Sequence, residues 1–288
     1  MRRLTIGWLY PRLMGTYGDR GNITTLVNRA RWRGIQVEVQ QIELGTSERA
    51  ISGCHLLFMG GAQDREQKIA AVDLRLRKGP ALRAAVADGV PALFVCAAYQ
   101  FMGHYYRPAE GPDLKGVGLF DLVTHHPGVH VPRCIGNIAL ELSPGLAAWE
   151  MPTLVGFENH GGRTYLGSKS SPLGSVLAGY GNNGVDRTEG AVVNNAYGCY
   201  LHGPVLPKNP HFADHLLRLA LVHSAQEASL APLDDELEWQ AHAAALRRAG
   251  VREPQPAAEP EMEPRRGLAD ILPWPGRPRE RERGKVAS

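Results

Sequence analysis

The chain is expected to be an α/β protein with a mostly parallel sheet flanked by helices. Three observations predict it. In the N-terminal third, short apolar runs alternate with segments of helical periodicity, the pattern of strand–helix–strand units. The run at 55–59 is apolar after His55 and that at 92–95 is apolar throughout, as in strands covered on both faces. Both stop abruptly, one at Gly60-Gly61 and the other at Cys96. Ligands of parallel sheets bind at such C-terminal strand ends.

The elements follow in order. Residues 4–10 read as a first strand. Residues 22–34 place Ile23, Leu26, Val27 and Ala30 on one helical face, with Gly34 as a stop. Residues 37–42 alternate as a strand does. Residues 63–88 form a long helical stretch, with a break expected near Gly79-Pro80. Residues 92–95 are the strand before Cys96. Beyond them, the segments 135–142, 154–157, 175–178, 191–194 and 199–201 are short and β-like, separated by Gly and Asn, and are expected as antiparallel additions to the sheet. Residues 212–223 and 235–248 are amphipathic helices. One domain therefore spans 1–250. From 251 to 288 Pro and Arg crowd the sequence, periodicity fades, and a disordered tail is expected. Within it, Leu268 to Trp274 is a candidate docking motif, against the more ordinary reading of a linker end.

Bulk properties narrow the function. A net charge of +3 gives no general reason to expect nucleic acid. No run approaches the roughly 18 apolar residues of a membrane span. The first residues carry two arginines but pass straight into a strand, without the apolar core of a signal peptide. Four cysteines, Cys54, Cys96, Cys134 and Cys199, lack CxxC spacing, which argues against a zinc site or a disulfide framework. A cytoplasmic, reducing setting is expected, with no metal.

In that setting a thiol can serve as a nucleophile. Cys96 ends the run Pro91-Ala92-Leu93-Phe94-Val95 and opens the helix-compatible Ala97-Ala98-Tyr99-Gln100. At a strand–turn–helix corner, helix N–H groups stabilise a thiolate and can hold the oxyanion formed when sulfur attacks a carbonyl. The plainer reading is a buried structural cysteine at a strand end. A catalytic cysteine also needs a base. Of eleven histidines, His125, His126 and His130 fall in a loop, and His211, His215 and His223 share one helical segment. His202 follows strand-like residues and precedes Gly203-Pro204, so it too stands at a strand end. His160, followed by Gly161-Gly162, is the rival.

The order strand–Gly-Gly, strand–Cys, strand–His resembles the class I, triad-type glutamine amidotransferases. Cys96-Ala97-Ala98-Tyr99-Gln100 resembles the Cys-Gly-Gly-Tyr-Gln of their cobyric-acid-synthase-like branch. Four longer segments resemble, within that branch, the glutaminase subunits of lipid II isoglutaminyl synthases. They are Tyr17-Gly18-Asp19-Arg20-Gly21-Asn22, Gly60-Gly61-Ala62-Gln63-Asp64-Arg65-Glu66-Gln67, Gly156-Phe157-Glu158-Asn159-His160-Gly161-Gly162-Arg163-Thr164 and Tyr200-Leu201-His202-Gly203-Pro204-Val205-Leu206-Pro207-Lys208-Asn209-Pro210. The likeness runs from about residue 4 to 248.

The resemblance implies a flavodoxin-like sheet, with Cys96 as nucleophile, His202 as base and Arg133 as the glutamine-binding arginine. Gly61 or Ala62 would give one oxyanion-hole N–H and Ala97 the other. It also implies a Mur-ligase-like partner subunit in a heterodimer. That partner would use ATP to activate the D-glutamate α-carboxyl of lipid II, and ammonia from this chain would make D-isoglutamine. No cofactor is expected here, where no GxxxxGK[ST] loop occurs. Two departures stand out. Ala97-Ala98 replaces two glycines, a strain of about 1 kcal/mol if either needs φ > 0. Pro204 stands where triad amidotransferases carry Glu, so an acid to orient His202 must come from elsewhere: from the partner, as the resemblance implies, or from within, with Glu158 and Asp186 as candidates. The alternatives are an amidotransferase for another acceptor, such as a corrinoid precursor, and a catalytically weak scaffold that regulates a ligase. The corrinoid reading calls for a fused ATP-binding synthetase domain, for which 288 residues leave no room.

Overall fold

Strand and helix alternate through the N-terminal part as the hydrophobic pattern requires. The computed structural model describes residues 1–15, 18–62, 64–146 and 151–252. The tail expected from 251 lies, after its first two residues, outside the described residues. The chain begins with β1 (Arg3–Leu9), α1 (Arg20–Trp32), β2 (Gln36–Ile42), the short α2 (Arg49–Ser52), β3 (Leu56–Met59), α3 (Asp64–Asp73), α4 (Gly79–Ala87), β4 (Ala92–Val95) and α5 (Ala97–Phe101). The break expected near Gly79 is a π-helical turn, Leu74–Lys78, between α3 and α4. Pro80 explains it: proline has no N–H to continue the α ladder but is tolerated in the first turn of α4.

The middle of the chain supplies β5 (Tyr105–Arg107), β6 (Leu114–Lys115), β7 (Leu122–His125), β8 (Cys134–Leu142), β9 (Thr153–His160), β10 (Arg163–Leu166), β11 (Gly174–Ala178) and β12 (Thr188–Glu189). The chain then adds β13 (Ala191–Val193), β14 (Ala196–Cys199), α6 (Pro210–His223) and α7 (Glu236–Arg248).

The main sheet has the order β13-β14-β4-β3-β1-β2. All its pairings are parallel except β13 with β14. Every residue of β3, β4 and β14 is buried, the mark of strands covered on both faces. Their shared direction brings the ends of β3, β4 and β14 to one edge, where the site is built. The antiparallel additions depart from expectation. Only β13 joins the main sheet that way. The other middle strands form two four-stranded sheets of their own, β10-β7-β5-β6 and β12-β11-β8-β9. The strand expected at 199–201 lies earlier, as β14: Cys199 is its last residue, and Tyr200-Leu201 follow it.

Helix α1 packs on α6, and α2 on α4. A buried ion network locks the first pair. Arg29 donates to both oxygens of Asp214 at 2.7 and 2.9 Å, and to both of Asp235 at 2.5 and 2.7 Å. Arg33 adds bonds of 3.0 and 2.6 Å to Asp214. Asp235 precedes α7, so the network also fixes where that helix starts. Among the described residues, no helix is long and apolar enough to cross a membrane.

Candidate active site

Cys96 is the corner that the sequence predicts. It joins β4 to α5 with φ 55° and ψ −110°, outside the ordinary regions for an L-residue. Such strained strand-to-helix turns hold a nucleophile out from the sheet edge. The Cys96 N–H donates to the Cys199 carbonyl at 2.8 Å, and its carbonyl accepts from the Gln100 N–H at 3.0 Å. The corner is thus tied to β14 in front and α5 behind. Strain falls on Cys96 itself: Ala97 and Ala98 are helical and are not among the positive-φ residues. Alanine therefore costs nothing in backbone conformation there, and full burial explains why both positions are small.

The other three thiols are unsuited to attack. All are buried. Burial pushes Cys54 and Cys134 up to about 11, and Cys199 well above the ordinary thiol range.

His202 meets Cys96 from the β14 side. Its backbone pairs with Phe157 of β9, through bonds of 2.8 and 3.2 Å. The residue is 4% exposed. Burial by itself disfavours the imidazolium. The Cys96 side chain and Asp19 outweigh burial, and His202 is pushed up to about 10. A thiol next to such an imidazole can pass it a proton and react as thiolate.

Asp19 also stands at this site, and sequence reasoning did not single it out. It precedes α1 and is fully buried. Its Oδ1 lies 3.8 Å from His202 Nδ1, and its Oδ2 accepts the Gly61 N–H at 2.6 Å. A Cβ on Gly60 would fall 2.6 Å from Asp19 Oδ2, so only glycine lets the carboxylate in this close. One signal was available. The Gly- and Asp-containing hexad lies between the first strand and the first helix, which puts it at the same sheet edge.

The Asp19 bond corrects one expectation. Gly61 gives its N–H to a carboxylate and so does not offer it to an oxyanion. That leaves Ala62 and Ala97 as the donors the resemblance implies. The Ala62 carbonyl accepts from Gln67 Nε2 at 2.7 Å, which steadies the loop after β3. Ala97 opens α5, and first-turn N–H groups have no partner within their helix.

Arg133 stands on an exposed rim at the start of β8. It donates to the side-chain and main-chain oxygens of Asn159, both at 3.0 Å. A Cβ on Gly161 would meet Arg133 Nη1 at 3.3 Å and His126 Nε2 at 2.7 Å, and one on Gly162 would meet Gln100 Nε2 at 2.7 Å. The two glycines thus let this rim ride close over α5, one turn beyond Cys96. A cleft of about 340 Å³ opens beside it, lined by Gln67, Tyr106, Leu114 and His126 among others.

The rival base, His160, is structural. It stacks on Tyr200 with ring centres 3.6 Å apart, and its Nδ1 pairs with the Gly162 carbonyl at 2.8 Å. Burial keeps it neutral. Glu158 is committed as well, accepting the Tyr180 and Gly181 N–H groups at 2.6 and 3.0 Å. Asp186 serves its own turn, accepting from Asn183 and Thr188. His125, expected in a loop, lies at the end of β7. Among the described residues, no group of three His, Cys, Asp or Glu converges as a metal site.

A strained cysteine and a buried histidine at the C-terminal edge of a parallel sheet define a thiol-based acyl-transfer enzyme. The profile of the CobB/CobQ-like glutamine amidotransferase domain matches residues 5–210, and the chain belongs to that family. It is 39% identical over 249 residues to the lipid II isoglutaminyl synthase (glutamine-hydrolyzing) subunit GatD of Staphylococcus aureus (strain N315), covering 86% of this chain and 97% of that relative. It is 36% identical over 239 residues to the GatD subunit of Streptococcus pneumoniae (strain ATCC BAA-255 / R6), covering 83% and 88%. In fold it is similar to a crystal structure of a glutamine amidotransferase, with a TM-score of 0.52 at 14% identity over 75% of this chain and 98% of that one. The Trypanosoma brucei CTPS glutaminase domain with bound acivicin gives a TM-score of 0.50 at 11% identity, over 79% and 96%.

Proposed function

We propose that the chain is the glutamine-hydrolysing subunit of a lipid II isoglutaminyl synthase. The observation that carries this reading is Cys96, held at positive φ against the buried His202. Similarity to GatD subunits along nearly their whole length supports the acceptor.

In this mechanism the glutamine α-carboxylate pairs with Arg133, a charge-assisted contact. His202 takes the Cys96 proton, and sulfur attacks the side-chain amide carbon. The N–H groups of Ala62 and Ala97 hold the tetrahedral oxyanion. His202 returns the proton to the amide nitrogen, ammonia leaves and a thioester remains. Water then gives a proton to His202 and attacks the thioester. Glutamate leaves as the thiol is restored.

The partner is a Mur-ligase-like subunit of the MurT type, forming a heterodimer in the cytoplasm. ATP is used there, to activate the D-glutamate α-carboxyl of lipid II, and ammonia passed from this chain yields D-isoglutamine. A corrinoid acceptor has less support. The cobyric acid synthase of Pelotomaculum thermopropionicum is 33% identical over 136 residues, but the match covers only 25% of that relative.

The test is a coupled glutamate assay on the purified chain, alone and with the ligase subunit, together with mass analysis of lipid II. Glutamine hydrolysis that needs Cys96, and an added amide on lipid II, are expected. The ligase subunit should raise kcat and not merely lower KM. Hydrolysis without amidation of lipid II would point to another acceptor.

A further inference from the structure

We infer that the outer face of α3 and of the π-helical turn after it is a membrane-contact surface, which lays this chain on a bilayer with anionic headgroups. The inference goes beyond the glutaminase reading and does not depend on it.

The argument begins with bulky apolar side chains left in water. Ile69, Val72 and Leu76 are 45, 59 and 61% exposed. Their spacing, i, i+3 and i+7, puts them on one side of the helical path. The opposite side is already used: Gln67, Ala70, Ala71, Leu74 and Lys78 are buried against the body. The segment is therefore apolar on its inner face and again on its outer one. A polar-rimmed apolar stripe of this kind marks a contact with another surface.

Charge says which surface. Among the described residues from 66 to 83, the exposed charged side chains are Lys68, Arg75, Arg77 and Arg83, all basic. The acids are withdrawn. Asp73 turns inward, where it pairs with the buried Lys78, accepts the Tyr10 hydroxyl at 2.8 Å and lies 3.8 Å from Arg77. Glu66 is half-buried, at the end of α3 nearest the catalytic edge. Strand β6, which packs on α3, adds the exposed Lys115, while Asp113 before it is paired with Arg107 at 2.9 Å. Aliphatic side chains flanked by charges of one positive sign are the pattern of helices that lie in a membrane interface. The aliphatic groups enter the headgroup layer, and the arginines meet its phosphates.

A protein partner fits this face less well. The path α3–π-turn–α4 joins the parallel strands β3 and β4, so it must run back from the catalytic edge to the opposite edge of the sheet. The stripe from Ile69 to Leu76 thus descends the flank, away from Cys96, whereas a subunit that receives ammonia must face the catalytic edge. The stripe also has no aromatic anchor, and protein interfaces favour aromatic residues over an uncharged core. Among the described residues no helix can cross a membrane, so the contact is peripheral. Under the function proposed above the acceptor is carried on a lipid, and this face would keep the ammonia source within reach of it.

The test is cosedimentation of the full chain with vesicles of phosphatidylcholine alone or mixed with an equal part of phosphatidylglycerol. Partitioning into the mixed vesicles is expected, at least about tenfold stronger than into the neutral ones. It should vanish when salt rises from about 0.1 to about 1 M, as the screening length falls from about 10 to about 3 Å. Arg75→Ala/Arg77→Ala should weaken it roughly 25-fold, about fivefold for each arginine. Val72→Ser/Leu76→Ser should weaken it at least about tenfold with the charge unchanged. Every variant keeps residues 251–288, so any contribution from that segment cancels. All four side chains are exposed, and the melting temperature should not move. Equal partitioning into both vesicle types, or wild-type partitioning of both double variants, would overturn the inference. So would loss of the ligase subunit from Val72→Ser/Leu76→Ser with vesicle binding intact, which would give the stripe to a protein partner. None of these readouts uses glutamine hydrolysis, so failure of the glutaminase reading would leave the vesicle result standing.

Discussion

The ring of Pro204 rests on the Cα of Gly21, with no room for a side chain between them. A methyl group there would fall 2.3 Å from Pro204 Cγ, and a proline ring has no rotamer in which to retreat. Gly21→Ala should therefore push α1 away from the His202 turn. In an open helix the same change would add about 1 kcal/mol of stability. Here a loss of about 1–3 kcal/mol is expected from overpacking, with kcat falling more than KM rises. Thermal melts and steady-state glutaminase assays check both. A stabilised, fully active variant would show that the two segments part freely.

Cys96→Ala and Cys96→Ser should abolish glutamine hydrolysis and leave the fold intact. Single replacement of Cys54, Cys134 or Cys199 by Ala should not abolish it, since burial pushes all three thiols well above neutral pH. Circular dichroism and a coupled glutamate assay on the same preparations decide it. Wild-type turnover in Cys96→Ala would remove the thioester from the mechanism.

Arg133→Ala should raise KM for glutamine far more than it lowers kcat. A charge-assisted contact contributes about 1.5–3 kcal/mol, or roughly 10–150-fold in affinity. Arg133 is exposed, with Asn159 as its hydrogen-bond partner, so the fold should tolerate the change. An unchanged KM would place the α-carboxylate elsewhere.

The parts of the site legible in the sequence are those that a strand end announces. Cys96 and Gly60-Gly61 each close a short apolar run, and the parallel sheet brings such ends to one edge. His202 was found by the same logic, although its strand proved to end at Cys199. Asp19 was not legible as part of the site because its contact with His202 spans most of the chain and leaves no periodic trace. Which N–H faces an oxyanion was not legible either, since Gly61 and Ala62 differ there only in peptide orientation. The strands β5, β6 and β10 escaped because two to four half-exposed residues carry too little alternation to stand out.

Glu189 should give the fold a pH dependence of predictable sign. Burial, aided by the Glu158 charge, pushes its carboxyl from 4.5 up to about 8. Between those values the folded chain holds a proton that the unfolded chain has lost. The stability tied to that proton is fully present below 4.5 and is lost as pH rises through about 8, at up to about 1.4 kcal/mol per pH unit. Glu189→Gln removes the titration, so its melting temperature should gain on wild type steadily from pH 5 to pH 9. His211 and His215, kept neutral by burial, titrate in the opposite sense but equally in both proteins. A constant gap between the two melting curves would refute the assignment.

The positive φ of Cys96 sets the nucleophile against the stability of its own fold. The corner geometry suits glycine, and any L-residue there bears a strain of about 1–2 kcal/mol. Cys96→Gly should therefore melt higher than Cys96→Ala, reversing the usual ranking of the two residues. Folding alone would favour loss of the side chain at this corner. A descendant freed from its task would drift toward glycine at position 96, and the thiol persists only while the cell has a use for the ammonia it releases.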